Sequence, residues 1–460
     1  MTSVASTSSL ALISLMMAIT SCSVDIKDIP VPVALPVKFS ASGQANTPAK
    51  WWLEFNDAAL NRLMEQALTD NFTLLAAFNR LEQAKAIARR SGAELIPQVN
   101  ADFGAIQKTA EIVAGNNFIL GLAASYEVDL WGRIRANIHA VELDASAARE
   151  DVDSAAISLS AEIAGVWYKL IEQRLQLKLL DKQIKVNSDN VALVTTRFRG
   201  GQATAADVFQ QSQLMESVIG DKTTVIANIR VLENQLAILV GKSPGTVAIP
   251  EYDDFPVLPP LPETGLSADL IQRRPDLRKA YLRVQASDQR VASAIADRFP
   301  KLSLSARVDT TAPDLQSLFN NWLATIAGNL VLPLIDGGRR IAEVERNQAA
   351  SAETLNNYAD ALIKSIKEVE DALIQEHQQH QLINQLDKQV KLSQQATEQI
   401  RSRYVYGAID FLRVLTALLS QQNLERSRLR AQHQLFDYRI NLYRALAGGF
   451  PLADNNRNKS

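Results

Sequence analysis

The segment Asn117-Phe-Ile-Leu-Gly-Leu-Ala-Ala-Ser-Tyr-Glu-Val-Asp-Leu-Trp-Gly-Arg133 contains a change of hydrophobic period. From Phe118 to Leu130, apolar side chains occupy every second position, which is the pattern of a β-strand with one apolar face. After Gly132, the apolar residues take the spacing of a helix. The segment therefore predicts a strand that leads directly into a helix, with glycine at a junction that tolerates a residue without Cβ.

The same period of two predicts three further strands, at about 97–107, 301–309 and 322–334, so that the chain has two β-hairpins, 97–130 and 300–335. Strands of about ten residues with one apolar and one polar face suit a membrane β-barrel. A soluble sandwich with its apolar face inward is the alternative. Four strands are too few to close a barrel, because even small membrane barrels use about eight. The membrane interpretation therefore requires several copies of the chain.

The chain also contains an internal duplication. Leu180-Asp-Lys-Gln-Ile-Lys185 recurs 206 residues later as Leu386-Asp-Lys-Gln-Val-Lys391. The same shift carries Gly132 onto Gly338 and Gly201 onto Gly407. A Pro-rich linker separates the two copies, and its prolines prevent a helix from running through it.

A heptad pattern follows each β-hairpin and predicts long helices over about 132–199 and 340–406. At 1.5 Å per residue, each would be roughly 100 Å long. Gly200-Gly201 and Gly407 end these helices, and residues 205–240 and 411–447 return as antiparallel partners. The predicted seam residues share the core positions of the heptad: Leu177, Leu180, Ile184, Val191, Val194 and Phe198 in the first copy, and Ile383, Leu386, Val390, Thr397, Ile400 and Tyr404 in the second.

These patterns predict a mainly α fold, with long antiparallel α-helical hairpins and four strands per protomer for a membrane β-barrel. The predicted chain begins with a signal peptide at 1–21 and an N-terminal extension with a first helix at 22–94. The first repeat, at 95–248, contains a helical hairpin at 132–242, and the linker follows at 249–265. The second repeat, at 266–447, contains a helix at 266–297 and a helical hairpin at 338–447, and a tail follows at 448–460.

The single cysteine, Cys22, follows an apolar stretch at 10–18 that is too short to span a bilayer as a permanent helix. This arrangement resembles the signal of bacterial lipoproteins, although residues 1–9 lack the usual Lys or Arg. The resemblance implies a covalent lipid on Cys22, and Ser23 then points to the outer membrane. The alternative is an inert thiol in an uncleaved leader.

Charge and residue composition exclude some functional classes. The 48 basic and 50 acidic residues give a net charge of −2 without a basic run, which argues against nucleic acid as a partner. His377 and His380 could share a metal with Glu376, but a Gln-rich polar helix face is the favoured interpretation, and we predict no metal site. We find no arrangement of catalytic residues, so a lipoprotein enzyme is disfavoured.

Four segments resemble the signature motifs of the TolC/OprM outer-membrane factor family, especially its NodT-like lipoprotein branch. They are Pro48-Ala-Lys-Trp-Trp-Leu-Glu-Phe-Asn-Asp57, Asp129-Leu-Trp-Gly-Arg133, Arg273-Arg-Pro-Asp-Leu277 and Leu334-Ile-Asp-Gly-Gly-Arg339. The resemblance implies a lipid-anchored homotrimer with a twelve-stranded barrel in the outer membrane and a helical tunnel in the periplasm. It also implies two partners, a periplasmic adaptor and an inner-membrane efflux pump, and no cofactor besides the lipid.

By the same resemblance, functional residues are expected at the tips of the helical hairpins. Gly200, Gly201 and Gly407 would contact the adaptor, while Asp207 and Tyr404 would form a latch between hairpins. The alternative for this pair is a solvated Asp at a helix start and a Tyr in the seam.

Acidic residues are frequent at the aperture of the family, but this chain has Arg413 and Thr416 there. The sequence therefore favours closure by packing of Phe411, Leu412 and Leu415. A periplasmic coiled-coil adaptor or scaffold without a pore is the alternative to the channel. The sequence leaves open the exported compound and the identity of the pump and adaptor.

Overall fold

The computed structural model describes residues 33–34, 36–45, 48–110, 113–246, 250–266 and 268–446. Cys22, the predicted signal peptide and the predicted tail lie outside these residues. The elements in chain order are α1 (Ala58–Asp70), α2 (Phe72–Gly92), β1 (Gln98–Ala110), β2 (Val113–Val128), α3 (Arg133–Arg199), α4 (Ala205–Leu239), α5 (Asp269–Arg273), α6 (Pro275–Ala296), β3 (Lys301–Ala312), β4 (Trp322–Val331), α7 (Arg339–Val405) and α8 (Phe411–Leu446).

The predicted order of strands and long helices is confirmed, but the helix expected over 266–297 is interrupted. It is divided into α5 and α6 at Arg274, whose ψ of 120° is extended. The cause is Pro275, because the proline ring clashes with a helical conformation of the residue before it. Among the described helices, none combines enough length and apolar character to cross a bilayer.

The chain forms two compact units. The first is built mainly from Gln83–Ser146 and Tyr281–Ala359 and contains the strands. The second is built from Ala34–Glu82, Ala147–Ala280 and residues 360–446.

The first unit contains an antiparallel sheet in the order β1-β2-β3-β4. Its register pairs Phe103 with Leu120, Leu122 with Val308, and Ala306 with Ile326. Paired residues lie on the same side of a sheet, so the apolar positions of all four strands form one face. This confirms the alternation predicted from the sequence.

The apolar face of the sheet is exposed in the protomer. Phe103 is 66% exposed and Ile326 is 88% exposed. The outer edges of β1 and β4 pair with no other strand in the part of the chain that the structure describes. The protomer therefore presents both an uncovered apolar surface and two unpaired backbone edges.

The two junctions between strand and long helix share an arrangement of aspartate, glycine and arginine. After β2, the Asp129 carboxylate accepts hydrogen bonds from the N–H groups of Ile134 and Arg135, at 3.1 and 3.0 Å, and binds the Arg135 side chain at 3.1 Å. Burial opposes ionisation, but these hydrogen bonds hold the pKa of Asp129 below its usual value. Gly132 makes the turn with a φ of +76°. Asp129 thus caps the first turn of α3.

The second junction repeats this arrangement after β4. Asp336 accepts from the N–H of Gly338 at 3.1 Å and binds the Arg340 guanidinium at 3.0 Å, and Gly338 has a φ of +83°. The predicted role of Gly132 and Gly338 at these junctions is confirmed.

The second unit has an aromatic core that is built around Trp51, Trp52 and Phe55, all of them buried. Trp51 stacks on Tyr443 at 5.5 Å between ring centroids, and Phe55 lies 5.2 Å from Tyr168. Packed aromatic pairs of this kind stabilise a core beyond the area that they bury.

Asp57 ties this aromatic segment to the helices. One carboxylate oxygen accepts from the N–H groups of Ala59 and Leu60 and so caps α1. The other accepts from the Trp167 indole N–H and the Tyr252 hydroxyl, each at 2.8 Å. The buried carboxylate is satisfied by four donors.

The heptad seam predicted for α3 is only partly correct. Leu180 and Val194 are buried, whereas Phe198 is 45% exposed. Over residues 173–194 of α3, buried residues recur at spacings of three and four, and most of them are amides: Gln173, Gln176, Leu180, Gln183, Asn187, Asn190 and Val194. Because α3 contacts α8 as well as α4, its polar side is buried too. In α7, the predicted seam residues Leu386 and Tyr404 are buried as expected.

We expect Asp57→Ala to lower the free energy of unfolding by about 3 kcal/mol, because it removes a helix cap and leaves buried donors unpaired. Chemical denaturation of the purified protein, followed by tryptophan fluorescence, measures this change. Glu65→Ala on the exposed side of α1 is the control and should shift stability by less than about 0.5 kcal/mol. Equal stability of the two variants would contradict the assigned role of Asp57.

Candidate functional site at the hairpin tips

The long helices form two hairpins: hairpin 1 is α3 with α4, and hairpin 2 is α7 with α8. At the tip of hairpin 1, Gly201 has a φ of +70°, and the Gln202 N–H donates to the Arg197 carbonyl at 2.8 Å. At the tip of hairpin 2, Gly407 has a φ of +75°, and the Ala408 N–H donates to the Arg403 carbonyl at 2.9 Å. Both helices thus end in the same left-handed cap, which favours glycine. The predicted helix ends are confirmed.

The first turn of α4 is closed by a capping box between Thr204 and Asp207. The Asp207 carboxylate accepts from the Thr204 N–H at 2.8 Å, and the Thr204 hydroxyl oxygen accepts from the Asp207 N–H at 3.3 Å. Such reciprocal bonds satisfy two donors at a helix start. In the protomer, the Asp207 carboxylate is therefore engaged in its own helix.

Tyr404 is buried near the end of α7, where it contacts hairpin 1. The Arg197 guanidinium lies over its ring, 4.6 Å from the centroid, and Arg197 Nη1 donates to the Val405 carbonyl at 2.9 Å. Burial raises the pKa of Tyr404, against the opposing effect of the Arg197 charge. Within the described residues, the Tyr404 hydroxyl has no hydrogen-bond partner. Around Tyr404, a cation–π interaction and one hydrogen bond thus join the two hairpins, in addition to apolar packing.

The expected partner of Tyr404 was Asp207, but in the protomer the aromatic ring is held by Arg197. Sequence reasoning missed Arg197 as a site residue. The duplication could have drawn attention to Arg197, because the shift of 206 residues aligns Arg197-Phe198 in the first copy with Arg403-Tyr404 in the second. A latch between Asp207 and Tyr404 remains a prediction for the assembled protein.

The residues predicted to close the aperture lie on two different sides of α8. Phe411 and Leu415 are buried in an apolar group that we call the tip cluster: Leu180, Val194, Leu214, Val218, Tyr404, Phe411, Val414, Leu415 and Leu418. Leu412, Arg413 and Thr416 are exposed on the opposite side of the helix. In the protomer, Phe411 and Leu415 therefore stabilise the tip itself, and Leu412, Arg413 and Thr416 form the surface available to a lumen or a neighbour.

A family model described as "Outer membrane efflux protein" matches residues 63–242 and 266–448. The pyoverdine export outer membrane protein OpmQ of Pseudomonas aeruginosa is 29% identical over 439 residues, which cover 90% of each chain. Among solved structures, the outer-membrane channel OprN is similar with a TM-score of 0.84 and 26% identity, covering 92% of this chain and 98% of that one. The outer membrane protein VceC of Vibrio cholerae gives a TM-score of 0.80 and 28% identity, covering 88% and 100%.

We expect Tyr404→Phe to leave the tip unchanged, because it keeps the ring under Arg197 and removes only an unpartnered hydroxyl. Arg197→Gln removes the cation–π contact and should increase hydrogen exchange of the backbone around 400–410 by about fivefold or more. Hydrogen–deuterium exchange read by mass spectrometry compares the two variants with the wild type. Faster exchange in Tyr404→Phe than in Arg197→Gln would instead assign the contact to the hydroxyl.

Proposed function

The chain belongs to the outer membrane efflux protein family, and from that membership we propose that three copies form the exit channel of an efflux pump. Each copy is an outer-membrane efflux channel subunit, as its relatives and structural neighbours are. The observation that carries the proposal is the four-stranded sheet with its exposed apolar face and two unpaired edges.

The edges of the sheet call for assembly with further copies. Unpaired edge strands offer rows of free N–H and C=O groups, and in lipid such groups need partners from another strand. If β4 of one copy pairs with β1 of the next, three copies supply twelve strands and close the ring. The homotrimer thereby satisfies the backbone that a single chain leaves open.

The exposed apolar face supports contact with lipid. Aromatic side chains lie near both ends of this face: Trp131 stacks on Phe299 at 5.0 Å beside one end, and Trp322 and Phe319 are exposed at the other. Aromatic residues at both borders of an apolar band are typical of strands that cross an outer membrane. This pattern also disfavours the soluble sandwich.

The opposite face of the sheet suits an aqueous lumen. It contains polar residues in register, including Asn100, Asp102 and Thr325, and an ion pair between Arg307 and Asp309 at 3.1 Å. A face of this character gives substrates a hydrated path rather than a specific binding site. We therefore propose passive conduction, with the energy supplied by the inner-membrane pump, and no enzymatic step.

The helical hairpins provide the periplasmic part of the proposed duct. Their tips, with Gly200, Gly201 and Gly407, are the proposed contacts with the adaptor that connects channel and pump. The exposed side of α8 with Leu412, Arg413 and Thr416 is the proposed lining of the aperture. A coiled-coil adaptor without a pore would explain the helices alone, but it gives no role to the sheet.

We further propose that Cys22 carries a covalent lipid that anchors the mature chain. A lipid adds membrane affinity in proportion to its buried methylene groups, and the strands of the assembled channel provide a second anchor. In cells supplied with labelled palmitate, the wild type should be labelled, and Cys22→Ala should lose the label. Retention of the label in Cys22→Ala would exclude this site of attachment.

The channel proposal is tested with purified protein in planar bilayers and by native mass measurement. We expect a trimer and stepwise ion conductance. A single-copy species without conductance would overturn the proposal.

The orientation of the sheet is tested by a matched pair of substitutions on β4. Ile326→Lys places a charge on the proposed lipid face, and we expect it to cost about 2–4 kcal/mol and to reduce the yield of membrane-inserted trimer. Thr325→Lys, one residue away on the polar face, should assemble as the wild type does. The yields are read from heat-modifiable migration of outer-membrane extracts. A lower yield for Thr325→Lys than for Ile326→Lys would mean that the lipid face and the lumen face are assigned the wrong way round.

A further inference from the structure

The exposed side of α8 near the hairpin tip carries a single charged side chain. Between Phe411 and Leu424, Arg413 is the only charged residue. The other exposed residues of this stretch share about a third of the helix circumference with Arg413 and are all neutral: Leu412, Thr416, Leu419, Ser420 and Asn423. Over the equivalent stretch 392–405 of α7, by contrast, three residues are charged: Glu398, Arg401 and Arg403. One guanidinium therefore sets the charge of the exposed side of α8.

The position of Arg413 is not explained by the fold of the protomer. Its guanidinium forms no hydrogen bond or ion pair with the residues that the structure describes. Its backbone N–H donates to the Asp410 carboxylate at 3.2 Å, which caps the start of α8. The first turn of a helix is the positive end of the helix dipole and disfavours a cation. The charge of Arg413 is therefore available to groups outside the protomer.

The duplication places opposite charges at this position. The shift of 206 residues aligns Arg413 with Asp207, and each is the third residue of its helix. Asp207 accepts a hydrogen bond from the Thr204 N–H and so stabilises the start of α4. A guanidinium has no acceptor and cannot replace this bond. The second copy thus has a cation where the first copy has a stabilising carboxylate.

The hairpin tips are basic, although the whole chain has a net charge of −2. Residues 197–207 and 398–413 together contain five arginines and three acidic residues. Two of these acids, Asp207 and Asp410, accept hydrogen bonds from backbone N–H groups at the helix starts. Arg199, Arg401 and Arg403 are exposed, as Arg413 is. The surroundings of Arg413 therefore add to its positive charge.

We infer that three copies of Arg413 form a cationic ring at the proposed aperture and that this ring selects substrates with a net negative charge. The inference rests on the proposed channel function and names its class of substrate. At 0.1 M salt the field of a charge extends over about 10 Å, so a ring at a constriction acts on every ion that passes. Passages lined by one sign of charge concentrate ions of the opposite sign.

The chemistry of the guanidinium narrows the class of substrate. Arginine binds carboxylate and phosphate groups through two parallel hydrogen bonds, which chloride cannot form. Because Arg413 is solvated, such contacts are brief and exchange with water. Organic anions are therefore enriched at the ring without being held there, as a passive duct requires.

Ion selectivity of the purified full-length trimer in planar bilayers tests the ring. In a gradient of KCl, the reversal potential gives the permeability ratio of chloride to potassium. We expect a ratio of about three or more for the wild type, about one for Arg413→Gln and below one for Arg413→Glu. Arg413→Lys keeps the charge and should keep the preference for chloride.

Arg430 provides a matched control on the same helix. It is exposed, and its guanidinium donates to Ser427 Oγ at 3.0 Å. At 1.5 Å per residue, it lies about 25 Å from Arg413 along α8, beyond the reach of the field at 0.1 M salt. Arg430→Gln should keep the chloride preference of the wild type. An equal loss of preference in Arg430→Gln and Arg413→Gln would overturn the inference, because selectivity would then belong to the whole tunnel.

Citrate, a tricarboxylate, probes the class of substrate. Added to the wild-type channel, it should interrupt the chloride current for brief periods, and Arg413→Gln should reduce the frequency of these interruptions by about fivefold. Spermidine, a trivalent amine, should interrupt neither channel. More frequent interruptions by spermidine than by citrate in the wild type would contradict a cationic ring.

The outcomes separate the two levels of inference. Wild-type protein without conductance would overturn the proposed function and this inference with it. Conducting wild-type channels with the same permeability ratio as Arg413→Gln would overturn the inference alone. A longer open time of Arg413→Gln at an unchanged ratio would also overturn it and would assign Arg413 to a contact between copies.

A second variant decides the question if Arg413→Gln fails to assemble. Thr416→Glu adds an opposing charge to the same exposed side of α8 and leaves Arg413 in place. We expect it to bring the permeability ratio of chloride to potassium to about one. A wild-type ratio in Thr416→Glu would reject the exposed side of α8 as the part of the channel that selects by charge.

Discussion

The structure depends on a constraint that one chain cannot meet: every backbone polar group placed in lipid needs a partner. The strands β1 and β4 each leave one edge unpaired, and the apolar face of the sheet is uncovered. Closing the sheet with further copies satisfies both the hydrogen bonds and the apolar surface at once. The need for further copies and the membrane location of the sheet follow from this single requirement, and the number of three is part of the proposal.

The junctions between sheet and helix have the same capping residues in both copies of the duplication. Asp129 and Asp336 each accept a hydrogen bond from a backbone N–H in the first turn of the helix that follows, and Gly132 and Gly338 provide the left-handed turn. The first turn of each long helix is therefore capped by an aspartate from the segment that connects it to its strand. At both junctions, the aspartate also binds an arginine of the first helical turn, Arg135 or Arg340, which adds a charged contact to the cap.

The contacts between the helical hairpins are of a different kind from the core of the second unit. Trp51, Trp52 and Phe55 are buried among aromatic and aliphatic side chains, and Asp57 is satisfied by four donors. Between the hairpins, apolar side chains pack in the tip cluster, and farther from the tip buried amides such as Gln183 and Asn187 contact Gln422. Apolar packing is lost when surfaces part, whereas amides exchange their partners for water at a small cost.

The sequence alone determined the strands, the two faces of the sheet, the ends of the long helices and the duplication. These features depend on local periodicity and on residues such as Gly201 and Gly407, whose backbone requirements are local. Tertiary structure decided which side of α3 is buried, that Arg197 holds Tyr404, and that Asp207 caps its own helix. Some of these contacts join residues that are far apart in the chain. In others, two partners compete for the same side chain. Hydrophobic periodicity identifies apolar helix faces, but it gives no information on buried amides or on which hairpin an arginine reaches.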